Sequence, residues 1–357
     1  MLDALFKRSK SLMGLDIGSS AVKGIELRPT RQGYRVSAVG VEPLPPDSIV
    51  DGAIIDGGAV ADAVRRLFDN KQFKARQVAA SLSGNSVIVK KITLPTMTDQ
   101  ELADSIYWEA EQYIPFDIQD VNLDYEIIRR ADGADLQGTM DVLLVAAKKD
   151  KIADYTNVIV QAGRTPVVVD VDAFALQNAY EVNYGFEPGL VVALLNAGAS
   201  ATNINILSGD QSVFTRDISM GGNAFTEAVQ RDLGLPYELA EQVKKGLDVE
   251  GATFEDARPV LKAMTDNLLL EVEKTFDFFK ATASNDRIDR IVLSGGASRV
   301  DGFAEALATR FGTEVLAFDP FRQVAVDEAK LGGLSAFDLA PVAAVAVGLA
   351  LRKAGDR

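Results

Sequence analysis

"MGLDIGSSAVKGIEL", residues 13–27, reads as a strand, a tight Gly-Ser-Ser turn and a second strand, with Asp16 at the turn's entrance and Lys23 at its exit. Gly18 lets a backbone come close to a ligand. Successive N–H groups in such a turn form a concave anion site, to which the hydroxyls of Ser19 and Ser20 add donors. Lys23 supplies a point charge suited to phosphate. Asp16 cannot help an anion directly. It makes sense if a cation lies between, because Mg²⁺ keeps several waters and takes one or two carboxylates plus phosphates. A plain Gly-Ser hairpin with an Asp capping its turn is the competing reading.

An internal echo favours the first reading. "LDIGSSAVKGIEL" (15–27) aligns without gaps to "LNAGASATNINIL" (195–207), an offset of 180. Two strand–turn–strand copies half a chain apart imply two similar domains facing each other across a cleft with two anion-binding loops.

Composition narrows the chemistry. The 357 residues suffice for about two domains. A net charge of −14 argues against nucleic acid as a partner. The chain has no Cys and no His, which excludes disulfides, thiol nucleophiles, His bases and His/Cys zinc sites. Any metal is then a hard, oxygen-liganded ion. The most apolar stretch, "LAPVAAVAVGLAL" (339–351), is 13 residues long, short of the ~20 that span a bilayer. The N-terminal "MLDALFKRSKSLM" lacks an apolar leader core. The expectation is a cytoplasmic protein without a span.

Along the chain, residues 12–41 read as a β-meander and the stretch after Gly58 as a helix. Two strands flank Gly84-Asn85. A helix opens at Thr98, where Thr98 and Glu101 form a capping box, and closes before Pro115. With two more strands, residues 76–150 make a compact inserted α+β unit. Helix, strand and helix follow, then the repeat, a mostly helical 223–285, a strand–Gly turn–helix at "RIDRIVLSGGASRVDGFAEALATRF", and a last helix over 341–353. Mixed sheets covered by helices follow from that order.

Five segments in order, "DIGSSAVK" (16–23), "DVDAFALQNAY" (170–180), "LNAGASAT" (195–202), "LSGGASRVDGF" (293–303) and "PVAAVAVGLAL" (341–351), resemble the phosphate, connecting and adenosine segments of the actin/Hsp70/sugar-kinase ATPase superfamily. Within it, "WEAEQYIPFDI" and "GGNAFTEAVQRDLGLPYELAEQVKKG" look closest to the PilM family of type IV pilus assembly proteins, relatives of FtsA. The resemblance implies a mixed α/β, ribonuclease H-like actin fold of two lobes. Residues 1–75 and 151–190 would form lobe 1, interrupted by the insertion at 76–150. Residues 191–225 and 286–340 would form lobe 2, with a helical subdomain at 226–285 and a C-terminal helix at 341–357 returning to lobe 1.

The resemblance also implies ATP and Mg²⁺ as cofactors. Asp16, Gly18, Ser19, Ser20 and Lys23 would hold phosphate and metal, with Asp16 as the metal carboxylate. Asn196, Gly198, Ser200 and Thr202 would line the second loop, followed by Gly222. Glu241 and Lys244 would face ribose and base, and Gly295 and Gly296 would face adenine. An ordinary i,i+3 ion pair and a plain strand-to-helix turn are the alternatives for the last two pairs. The superfamily usually has Asp where this chain has Asn196, which implies weaker metal dependence or slower hydrolysis. Asp16, Asp170, Asp172 and Gln177 are the candidates for a water-activating role, with a strand-end turn as the other reading for the 170/172 pair.

As a PilM-like protein it would be a cytoplasmic ATP-binding platform for twitching motility, a scaffold with at most slow ATPase activity. It would bind the cytoplasmic N-terminal segment of PilN, and through it PilO and the membrane. A pilus motor ATPase is a further expected partner, and self-association is left open. Tyr107 and the sole Trp, Trp108, are candidates for lining the peptide groove, with burial in the insertion's core as the alternative. An FtsA-like polymer former and a small-molecule kinase are the rival functions. The sequence ends at "LRKAGDR" with no linker and amphipathic helix after the last connecting helix, so membrane contact is expected to need a partner. The basic Lys7, Arg8 and Lys10 read as a solvated patch.

Overall fold

The computed structural model describes residues 12–69, 73–129, 138–282, 287–331 and 333–356. The basic patch Lys7, Arg8 and Lys10 lies outside the described residues. The first three strands, β1 (Met13–Ile17), β2 (Ala21–Thr30) and β3 (Gly33–Pro43), form the expected antiparallel meander. A short ribbon of β4 (Ile49–Val50) and β5 (Ala53–Ile54) leads to helix α1 (Gly57–Asp69). Strand β6 (Gln77–Leu82) then pairs parallel to β1.

Three antiparallel strands come next: β7 (Val87–Pro95), β8 (Val121–Arg129) and β9 (Thr139–Lys148), in the order β7-β9-β8. Helix α2 (Asp99–Glu111) starts at the predicted capping box: Thr98 Oγ1 accepts from Glu101 N, and Thr98 N donates to Glu101 Oε2 at 2.8 Å. Leu102, Ile106 and Ala110 on α2 pack with Ile92, Val142 and Leu144 of the strands into a core of the unit's own. Strand β6 does not belong to this unit. Its apolar residues pair with β1, so the separate sheet begins at Val87 rather than at 76.

Helix α3 (Lys149–Gln161) packs beside α1 on the outer face of the first sheet, and β10 (Thr165–Val171) completes that sheet's far edge parallel to β6. The second sheet contains β11 (Val191–Ala197), β12 (Thr202–Ser208), β13 (Gln211–Ile218), β14 (Arg290–Ser294) and β15 (Glu314–Ala317). Its order, a three-strand meander followed by two parallel strands, repeats that of β3-β2-β1-β6-β10 in the first sheet. A two-residue strand, β16 (Val324–Ala325), returns to pair with β3.

Helices α5 (Gly222–Leu233), α6 (Tyr237–Lys244), α7 (Phe254–Thr282) and α8 (Phe303–Phe311) cover the second sheet's outer face around Phe225, Phe276, Phe279 and Phe303. Between the two sheets lie α4 (Asp172–Tyr184) and α9 (Ala336–Ala350), whose Leu176, Tyr180, Leu339 and Val347 share a core with Ile25, Leu194 and Leu207. The approach of α9 to α4 is backbone-close: a Cβ on Gly348 would fall 1.7 Å from the Ala175 carbonyl oxygen. Helix α9 starts earlier than the sequence reading places it. Ser335 caps it, its Oγ accepting from Asp338 N at 3.0 Å, and Pro341 is carried inside. Among the described residues no helix is long and apolar enough to cross a membrane.

Candidate functional site

The ends of β1 and β11 open into one cleft of about 1190 Å³. Both bends bordering it close the same way: Gly18 N donates to Ala21 O at 3.2 Å, and Gly198 N to Ala201 O at 2.8 Å. The two turns meet, and the Ser19 and Ser200 hydroxyls are hydrogen-bonded to each other. Ser20 and Gly222 also line the cleft. Helix α5 supports the second bend, since Gly222 N donates to Gly198 O at 2.9 Å and Asn223 N to Ala199 O at 2.7 Å.

Asp16 and Lys23 stand opposite each other across β1 and β2 and form an ion pair of 2.8 Å. The repeat carries this register into the second lobe, where Asn196 stands opposite Asn203 and donates to it at 3.1 Å. A charged pair in one lobe is therefore a neutral amide pair in the other. The carboxylate reappears one strand further on: Asn203 Nδ2 donates to Asp217 Oδ1 at 2.8 Å, and Asp217 Oδ2 accepts from Gly84 N at 2.5 Å, bridging the lobes.

Asp172 opens α4 at the floor of the cleft and accepts from Ser81 Oγ at 2.5 Å. Burial pushes its carboxyl up to about 6, and the charges of Asp16 and Asp217 add to that push. Tyr155 donates to Gly52 O at 3.1 Å; burial, with Asp172 and Asp16 nearby, raises its hydroxyl above the usual phenol range. The cleft floor thus concentrates negative charge.

On the far wall Lys244 Nζ reaches Glu241 Oε2 at 2.5 Å, Thr226 Oγ1 at 2.8 Å and Gly222 O at 3.1 Å, and Lys245 joins Glu241 at 3.0 Å. Burial holds Lys244 below the usual lysine range. It pushes Glu241 the other way, but the charge and hydrogen bonds of Lys244, with Thr226 and Lys245, leave that carboxyl low. Gly295 closes this end at φ +90°, where a Cβ would fall 2.2 Å from Ala197 O, so only glycine fits. At Gly296 the nearest atom to a Cβ is Val342 Cγ1 at 3.8 Å, so its role is not steric necessity.

A family model described as "Type IV pilus assembly protein PilM" matches residues 14–354. The chain belongs to the PilM family. A solved PilM–PilN type IV pilus biogenesis complex is similar at 31% identity over 96% of this chain and 98% of that one, with a TM-score of 0.83. MreB5 of Spiroplasma citri, solved with AMPPNP and with ADP, shares the fold at 14% identity and TM-scores of 0.50 and 0.51, covering 96% and 95% of this chain and 95% of each of those. FtsA of Bacillus subtilis is 22% identical over 66% of this chain, and the match spans 57% of that protein. The mixed α/β architecture is thus the actin-like ATPase fold, as the sequence led us to expect.

Among the residues the family resemblance singles out, the cleft gathers Asp16, Gly18, Ser19, Ser20, Lys23, Asp172, Asn196, Gly198, Ser200, Gly222, Glu241, Lys244, Gly295 and Gly296. Three others lie elsewhere. Asp170 is buried against Arg352 at 3.4 Å, behind the sheet. Two residues apart on one strand would share a face, but β10 ends at Val171 and the helical start sends Asp172 the other way. Gln177 faces the second sheet, where it donates to Asp210 O at 2.9 Å and accepts from Asn205 Nδ2 at 3.4 Å. Thr202 is fully buried and donates to Met220 O at 2.8 Å, a structural bond at the base of the turn. Tyr107 and Trp108, 53% and 74% exposed, stand out from α2 instead of filling its core. Asn203 was readable as the partner of Lys23 in the repeat; Asp217 and Tyr155 carry no comparable signal.

Proposed function

We propose that this chain is an ATP-binding platform of type IV pilus assembly that carries the cytoplasmic N-terminal segment of PilN. The supporting observation is the pair of equivalent turns, at Gly18 and Gly198, facing each other across one cleft with Lys23 beside the first. Two such turns offer backbone N–H groups and hydroxyls to a polyphosphate from both sides. Glu241 and Lys244 border the ribose and base end, and Gly295 leaves bare backbone for the adenine.

The donor set suits a hydrated Mg²⁺. Among the described residues no three His, Cys, Asp or Glu side chains cluster tightly enough to cage a metal alone. Mg²⁺ needs no such cage, because it keeps its waters and shares phosphates with one or two carboxylates. Asp16 and Asp172, whose mutual repulsion helps raise Asp172, would hold it. The ion would neutralise phosphate charge there. Asn196 in place of a carboxylate and Gln177 turned away support hydrolysis that is slow at most. PilN docking on the face of α2 that bears Tyr107 and Trp108, contact with the membrane through PilN, and contacts with PilO or a pilus motor are parts of the same reading.

The test is the nucleotide content of the purified protein, repeated for Asp16→Ala. ATP or ADP in the first and none in the second is expected. A vacant wild-type protein that also fails to bind added Mg-ATP would reject the reading.

A further inference from the structure

The nucleotide cleft lies at one end of the first sheet. A second cavity, of about 320 Å³, lies at the other end of β2 and β3 and is lined by Arg28, Pro29, Thr30, Arg35, Ser37 and Lys74 among others. In a chain of net charge −14, three cations converge here. Among the described residues none of the three has an acidic partner within salt-bridge distance.

Two features make this more than a chance surface patch. First, Arg28 and Arg35 are direct cross-strand partners. Like charges directly opposite one another destabilise an antiparallel pair. Their alignment follows from a register shift at Glu26 and Leu27 that leaves Ser37 as the extra residue of β3. Such bulges re-aim the side chains beside them. Second, the third cation is delivered by a buried anchor. Glu26, 4% exposed, accepts from Lys74 N at 2.7 Å, from Ala75 N at 3.1 Å and from Ser37 Oγ at 3.3 Å. That carboxylate is engaged by the 74–75 backbone and by the bulge residue, so it fixes both walls of the cavity. The arrangement gathers three cations whose neighbouring carboxylate, among the described residues bonded to the cavity walls, is Glu26, and its oxygens are bonded to backbone N–H groups and to Ser37 and not to the cationic ends.

We propose that this cavity binds a phosphoryl group, as a second anion site separate from the nucleotide cleft. Paired guanidinium groups match phosphate oxygens by bidentate bonds, and a lysine adds a point charge. The opening admits a phosphate monoester or a phospholipid headgroup. The shared chemistry is the phosphoryl anion.

The experiment compares the intact protein with Arg28→Gln, Arg35→Gln and the double variant, using Lys23→Ala as the control that disables the first cleft. Thermal melts are recorded in chloride and in inorganic pyrophosphate at matched ionic strength. Sedimentation with vesicles of phosphatidylcholine alone or with phosphatidylglycerol is measured in parallel. Without added anion, each glutamine variant is expected to melt above the wild type, because the opposed charges are gone; Arg28 and Arg35 are exposed, so these variants should fold. Pyrophosphate should stabilise the wild type and Lys23→Ala, with affinity lowered about tenfold by each glutamine. Anionic vesicles that retain the wild type and release the double variant identify a lipid headgroup as the source. Pyrophosphate binding without vesicle binding identifies a soluble phosphate. Binding that disappears in Lys23→Ala and persists in the double variant would place the anion in the nucleotide cleft and overturn the proposal. So would the absence of binding to either probe. The Lys23→Ala background separates binding at this cavity from any anion taken up by the first cleft.

Discussion

Asp172→Asn is expected to stabilise the protein at neutral pH and to do little in acid. The folded carboxyl titrates at about 6, against an ordinary 3.8. At ~1.4 kcal/mol per pH unit this places a cost of about 3 kcal/mol on the folded state once the group is ionised. Below pH ~4 the group is protonated in both states and costs nothing. Between about pH 4 and 6 the unfolded chain releases its proton first, so stability falls as pH rises through that window, and the full cost applies above it. Asparagine keeps an acceptor oxygen for Ser81 and removes the charge that faces Asp16 and Asp217. Urea unfolding of both proteins in metal-free buffer at pH 4, 5, 6 and 7.5 should show curves that converge in acid and separate by up to ~3 kcal/mol at the alkaline end. Saturating Mg-ATP should narrow the gap, since a bound cation favours the ionised form. A gap that is constant across the series, or an asparagine variant that is weaker at pH 7.5, would refute the electrostatic account of the cleft floor.

Gly295→Ala should lower the melting temperature, because it adds the ~1–3 kcal/mol strain of a left-handed conformation to a 2.2 Å clash with the Ala197 carbonyl; Gly296→Ala should melt like the wild type, and equal melts for the two would remove the argument. Trp108→Ala, at a 74% exposed position, should leave stability within ~0.5 kcal/mol and weaken binding of a PilN N-terminal peptide about tenfold or more; unchanged affinity moves the docking face elsewhere. Asn196→Asp should raise Mg²⁺-dependent ATP turnover or metal affinity, and no gain in either would mean that Asp217 or another group already fills that role.

The architecture was legible wherever local pattern and long-range pairing agree. The 180-residue echo placed both strand–turn–strand units; the structure adds that Asp16 stands opposite Lys23 and Asn196 opposite Asn203 in matching register. It could not reveal Asp217, because the echo covers only two strands of each meander. The third-strand neighbour of Lys23 is Val41, whereas that of Asn203 is Asp217. Strands β6 and β7 show the limit of hairpin signals. Gly84 and Asn85 mark a turn, and Val87 N does bond Gly84 O at 3.1 Å. Yet the strands on either side join different sheets, because β1 and β9 are their stronger partners. Asp170 points away from Asp172 for a related reason: where a strand passes into a helix, sequence spacing no longer tells which way a side chain points.

The bond from Gly84 to Asp217 has a mechanical consequence. The chain leaves lobe 1 at Gly84 and re-enters it near Lys148, where Lys148 N bonds Ser86 O at 3.0 Å, so the α2 unit is suspended from two adjacent threads. It also leans on lobe 2, through Asp217 to Gly84 and through Gln211 Nε2 to Ile128 O at 3.0 Å. A body hung from one half and propped by the other has the geometry of a lever: were the halves to open or shut, its far end would swing and carry Trp108 with it.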